Sequence, residues 1–141
     1  GIEIRRIKEV VQASPYPIRP VPHAPAMIEG VITLRGVVIP VMDLRRRFGL
    51  PAVEKNQRLN KLIIVSVHGR IIALLVDQVL GELRIPKEGA RPAPSFLGSD
   101  GLGAQGDDFF SGVCRINEDV VFLLNLEGLI QLPGKENDTN A

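Results

Sequence analysis

Residues 22–50 read PHAPAMIEGVITLRGVVIPVMDLRRRFGL, and the fold of the 141-residue chain turns on them. Pro22 and Pro25 cannot sit inside a regular ladder, so the run opens outside a sheet. A turn or short helical segment over 26–29 leads to Gly30. Two apolar segments follow, 31–34 and 37–42, both rich in the β-branched residues that favour strands. Arg35-Gly36 between them reads as a tight turn, because Gly36 tolerates φ > 0. The second strand runs into Asp43, a suitable N-cap for a short basic helix over Arg45, Arg46 and Arg47. That helix ends near Gly49, with Pro51 closing it. Arg35 is the odd residue of the stretch: a core would exclude it and a generic turn does not require it.

Outward from this hairpin the chain continues as short apolar runs between breakers. Residues 1–4 look like the end of a strand whose beginning is absent. Arg5-Arg6 suits a turn, and 7–12 forms a strand or a helical turn leading into one. Ser14-Pro15-Tyr16-Pro17 is a breaker cluster, and the prolines keep 18–22 extended. Downstream, 52–60 is polar and reads as an exposed loop. Residues 62–67 and 70–76 are buried strands joined by a His68-Gly69 turn. Residues 77–82 bend and 83–85 begin another strand. Residues 86–108 make a long loop rich in Pro, Gly and Asp. Residues 109–116 and 120–125 are strands about the turn 117–119, and 126–132 suits a short amphipathic helix. The tail 133–141 is polar. Short strands with turns every 8–12 residues indicate an all-β sandwich or small barrels.

The totals narrow the function. The 14 glycines and 11 prolines exceed the ~12% share usual for the pair and sit between the apolar runs. A chain of this size buries roughly 70% of its unfolded surface, enough for a core without staples. The net charge of +1 offers no basic field, and one tyrosine with five phenylalanines gives no stacking platform, so nucleic acid is not implied. One cysteine excludes an intrachain disulfide and a cysteine-built metal site. No apolar run reaches ~18 residues and no leader pattern opens the chain, so the expected compartment is the cytoplasm.

Chemistry-bearing residues fail their context tests. His23 lies between prolines and His68 in a hairpin turn; neither has the converging ligands a metal needs. Cys114 reads as a small core or half-buried strand residue without nucleophilic activation, whose replacement by alanine should leave partner binding unchanged. Gly101–Gly106 fits a loose G-x-G-x-x-G pattern, but without the flanking strand and long helix, and with Asp107-Asp108 beside it. Those adjacent carboxylates read as turn residues. Arg45, Arg46 and Arg47 read as a wet face, and Asp77 as a strand-end residue bonding backbone amides. No catalytic, cofactor or metal residue is expected.

The stretch Met27-Ile28-Glu29-Gly30-Val31-Ile32-Thr33-Leu34-Arg35-Gly36, with Ile39-Pro40-Val41-Met42-Asp43-Leu44-Arg45, resembles the CheW-like coupling proteins of bacterial chemotaxis. Ile7-Lys8-Glu9-Val10, residues 74–79 and residues 123–127 extend the resemblance in the same order over nearly the whole chain. It implies an all-β fold: two SH3-like five-stranded β-barrel subdomains sharing an apolar seam, with short helices, over 1–132, and a flexible tail beyond. It implies an adaptor without catalysis or cofactor, held at receptor arrays under the inner membrane. Its partners would be a chemoreceptor's cytoplasmic hairpin tip and the regulatory domain of the chemotaxis histidine kinase. The receptor hairpin would lie in a groove between subdomains, lined at the matching positions by Ile7, Glu9, Val10, Gly30 and Arg35. Kinase contacts would come from loops at the far ends of the barrels.

Further expectations follow from that reading. With the opening strand pair incomplete, the first barrel should show an open edge, disordered, patched by a neighbour or open to self-association. Glu9 and Arg35, both in apolar surroundings, should form a partly buried pair, so that Arg35→Ala lowers stability and binding together. Two rivals fit the same residues. One is the same domain inside a larger kinase or receiver-containing coupling protein. The other is a small-ligand or enzyme module using the 95–108 loop.

Overall fold

The computed structural model describes residues 1–51, 59–85, 89–92 and 109–131. A 3-10 turn, Ile4–Arg6, precedes β1 (Ile7–Gln12). The hairpin follows as β2 (Ile28–Leu34) and β3 (Val37–Asp43), then α1 (Leu44–Arg47), β4 (Lys61–Val67) and β5 (Arg70–Val76). The second part holds β6 (Ala90–Arg91), β7 (Phe110–Ile116), β8 (Asp119–Leu124) and α2 (Leu126–Leu129). The strands form a five-stranded sheet in the order β1-β4-β5-β3-β2 and a three-stranded sheet in the order β6-β7-β8. The chain is thus all-β with two subdomains and few short helices.

Two apolar cores explain the sequence pattern. Ile32, Leu34, Ile39, Val41, Leu62 and Ile64 pack inside the first sheet with Ala73 and Leu75. The other face of the same strands, through Met42, Ile63, Val65, Ile72 and Leu74, packs on Phe109, Leu126, Leu129 and Ile130 of the second subdomain. Strands β4 and β5 lie between the two cores. They therefore read as continuous apolar runs and not as alternating ones. The outer strands reach both cores by bulges. Ile7 pairs with Val65, on the seam face, whereas Glu9 pairs with Ile64, on the interior face. Likewise Ile28 pairs with Met42 and Gly30 with Val41. An extra residue at each bulge turns the strand over, since strand side chains otherwise keep a period of two.

Several expectations shift. Strand β2 starts at Ile28, inside the segment read as a turn, because its bulge lets Ile28 face the seam. Strands β3 and β5 pair in parallel, Val41 with Ala73. That non-local pairing leaves no mark in the local pattern. Asn60, read in an exposed loop, is buried, and its carbonyl accepts from the Ala13 N–H. Residues 83–85 form no ladder among the described residues, and neighbouring Leu80 is 90% exposed. β-propensity alone does not hold a strand that lacks a neighbour. Gly1 bonds to β8 and not to the first sheet: its ammonium donates to the Phe122 carbonyl, and Leu124 N–H donates to the Gly1 carbonyl. The first sheet accordingly recruits β4 and β5 and is not built from residues 1–60 alone. The whole 95–108 loop, the Asp107-Asp108 pair with it, and the 133–141 tail lie outside the described residues.

Candidate functional site

The hairpin tip builds the site. Arg35 (φ 51°) and Gly36 (φ 80°) both take left-handed backbone, the two-residue turn whose twist matches its strands. This conformation is costly for arginine. It projects the guanidinium back across the barrel mouth to β1. There Nη1 and Nη2 grip the two carboxylate oxygens of Glu9, each at 2.5 Å. The pair spans the β1 edge and the β2–β3 tip, elements that are not neighbours in the sheet. The Arg35 guanidinium holds the Glu9 carboxyl below its ordinary value through this hydrogen bond, and Glu9 raises Arg35 in turn.

The pair is more open than the apolar neighbours in sequence imply: the Arg35 side chain is 70% exposed and that of Glu9 28%. Leu34 beside Arg35 points into the core, while the tip itself stands in water. A large stability loss on breaking the pair is therefore not expected. Exposure leaves the remaining guanidinium donors free to face solvent or a partner. Around the pair, Val10 on β1 and Val37 and Val38 on β3 are exposed.

Of the other residues read as lining the groove, Ile7 packs against the seam core as a partly buried residue. Gly30 has a local task. A Cβ placed there would overlap the Arg19 carbonyl group and come within 2.9 Å of the Ile18 side chain. Glycine lets residues 18–19 lie against β2, where Arg19 and Val31 exchange both backbone hydrogen bonds at 2.9 Å. So the structure brings Glu9 and Arg35 together, sets Val10 on the same strand, and puts Gly30 at a close backbone contact.

The basic helix is more than a wet face, although Arg46 stays exposed. Its cap is as read, with the Asp43 side chain accepting from the Arg45 and Arg46 N–H groups. But each arginine reaches a different element. Arg45 donates from Nε to the Pro51 carbonyl at 2.9 Å and from Nη1 to Asp77 at 3.2 Å. Arg46 pairs with Glu29 at 2.8 Å. Arg47 donates to the Leu129 carbonyl at 2.8 Å and lies 4.6 Å over the Phe109 ring. Asp77 thus serves an ion pair as well as a strand end. Sequence reasoning also missed Arg6, which pairs with Glu127 across the two subdomains. A partner 121 positions away leaves no local signal.

A second surface is apolar. A groove of about 400 Å³ lies between Leu44, Phe48 and Leu50 on one side and Phe110, Phe122 and Leu124 on the other. Phe48 and Phe110 stack at 5.7 Å. Cys114 is buried on β7. Among the described residues no group of three His, Cys, Asp or Glu side chains could hold a metal, and no helix is long and apolar enough to cross a membrane.

The CheW-like domain matches residues 1–133. The chain is 34% identical over 122 residues to the chemotaxis protein CheW of Rhizobium meliloti, covering 86% of this chain and 74% of that protein. It is 32% identical over 134 residues to protein FrzA of Myxococcus xanthus, covering 93% and 78%. Its structure resembles the crystal structure of the scaffolding protein TtCheW from Thermoanaerobacter tengcongensis. The TM-score is 0.80 at 31% identity, over 96% of this chain and 87% of that one.

Proposed function

Because the chain belongs to the CheW-like domain family, we propose that it is a chemotaxis adaptor that couples a chemoreceptor's cytoplasmic hairpin tip to the regulatory domain of the chemotaxis histidine kinase. It acts in the cytoplasm, at the receptor array, and performs no chemistry of its own. The CheW-like domain spans 1–132, and 133–141 is a polar tail. The receptor hairpin lies along the surface that Glu9, Val10 and Arg35 present, with Ile7 and Gly30 packed beneath it.

The observation that carries this reading is the Glu9–Arg35 pair. It holds a left-handed arginine in one orientation across the barrel mouth, beside exposed Val10, Val37 and Val38. A fixed guanidinium flanked by apolar side chains is the composition of an interface anchor. A kinked or coiled-coil helix can lay apolar knobs on the valines and offer a carboxylate or carbonyl to Arg35.

The test is calorimetric titration of the chain with a receptor cytoplasmic hairpin fragment and, separately, with a kinase regulatory domain. Both should bind. Arg35→Ala should weaken the receptor fragment by about tenfold or more, as loss of an anchoring arginine does, and leave the kinase domain nearly unaffected. Failure of the wild-type chain to bind either fragment would remove the adaptor reading.

A further inference from the structure

Two cations of the first subdomain grip α2 at its opposite ends. At the first turn, Arg6 Nη1 donates to Glu127 Oε1 at 3.2 Å while Nη2 pairs with Oε2. The same Nη2 reaches the Ser66 carbonyl on β4 at 3.4 Å. At the last residue of α2, Arg47 Nε donates to the Leu129 carbonyl, and the guanidinium lies over Phe109. The final carbonyls of a helix lack donors of their own, so Arg47 completes what α2 cannot. Burial pushes the Arg47 guanidinium below its ordinary value, in keeping with its place at the seam.

A four-residue helix does not hold its own position. Its place depends on its packing and on the two arginines. Leu126, Leu129 and Ile130 fill the seam core, and Ile7 packs on that same core. Ile7 directly follows Arg6 and opens β1, the strand that carries Glu9 and Val10. A shift of α2 therefore reaches the β1 edge through Ile7 and Arg6 at once.

We propose that Arg6 and Arg47 are positioning residues for the partner surface: they clasp α2 at both ends, and the clasped helix fixes, through Ile7, the β1 edge that presents Glu9 and Val10. This rests on the reading of that edge as the receptor surface. The arginines need not touch the partner.

Hydrogen exchange of the Leu129 and Ile130 amides, which bond to the Asn125 and Leu126 carbonyls, reports the clasp without any partner. Titration with a receptor hairpin fragment reports the surface. Arg6→Gln should speed exchange at both amides and weaken the fragment about twofold to fivefold, the range of a half-exposed ion pair. The swap Arg6→Glu with Glu127→Arg restores the ion pair but not the donation to the Ser66 carbonyl, so it should return both readings part of the way to wild type, and by similar fractions. Arg47→Lys, which keeps the charge and loses the planar fork, should act in the same direction as Arg6→Gln. Faster exchange with unchanged affinity would make the clasp merely structural and overturn the proposal, as would a swap that restores exchange but not affinity. Arg35→Ala in the same titration separates the two ideas. Loss there without loss in Arg6→Gln sinks the positioning role alone. Loss in Arg6→Gln without loss in Arg35→Ala supports positioning and removes Arg35 as the contact.

Discussion

At the scale of single residues, Arg35 separates stability from recognition. Its left-handed backbone is unfavourable for any side chain with a Cβ, while its ion pair stands largely in water. Arg35→Gly removes both the strain and the pair. It should leave Tm unchanged or higher, by at most about 2–4 °C for a domain of this size, and still weaken a receptor fragment about tenfold or more. Thermal melts and titrations on one preparation check both halves; a large drop in Tm would mean that the pair is structural. Glu127 gives a pH signature. Its hydrogen bond from Arg6 holds the carboxyl below its ordinary value of 4.5, and Glu9 is held down likewise by Arg35. A carboxylate depressed on folding adds stability that is complete above the unfolded value and is lost as pH falls through the folded one. Stability should therefore decline as pH drops below about 4.5, and Glu127→Gln should flatten that decline. Denaturant midpoints between about pH 6 and pH 3 measure it; a decline of unchanged steepness would assign the effect elsewhere. Sequence revealed that Arg35 was anomalous, because a charge at an apolar tip stands out locally. It could not reveal Arg6, Arg47 or Asp77 in their roles, because each finds its partner on a distant element.

At the scale of elements, the central hairpin was legible nearly to its ends. β-branched runs, a glycine turn and an aspartate cap are local devices, and local devices can be read from local sequence. Strand β2 overran its expected start because a bulge lets Ile28 face the seam while Ile32 faces the interior. Gly30 sits at that bulge under residues 18–19. Gly30→Ala should cost ~1–3 kcal/mol by overpacking against the Arg19 backbone. The Arg19–Val31 bonds should be its first casualty, seen as faster exchange of those two amides. Asp43→Ala should cost ~1 kcal/mol or more through the lost cap of α1, and it should loosen the arginines that α1 aims at Asp77, Glu29 and Leu129. Residues 83–85 mark the opposite case: strand composition without a ladder, since the neighbour a strand needs is not a property of the segment.

At the scale of the whole molecule, the seam joins the two subdomains. Leu129 is fully buried in it, among residues from β3, β4 and β5. Leu129→Ala should cost ~2–5 kcal/mol, and both sheets should melt together, because the central strands serve both cores. Two separate transitions by calorimetry would show that the subdomains fold independently. Local sequence accounts for the all-β class, the strand-rich hairpins, the turn chemistry and the likeness to CheW-like domains over the chain's length. These rest on residue type, on period and on glycine and proline placement, all short-range in the chain. The continuous apolar runs of β4 and β5 already said that both of their faces are covered. Folding in three dimensions settles what covers them, that β3 and β5 run parallel, that Gly1 bonds to β8, and that Arg6 and Arg47 close on α2. Those are pairings between residues far apart in sequence. Burial of apolar area is non-directional, so a sequence shows which faces must be covered and leaves to the packed chain which surfaces meet.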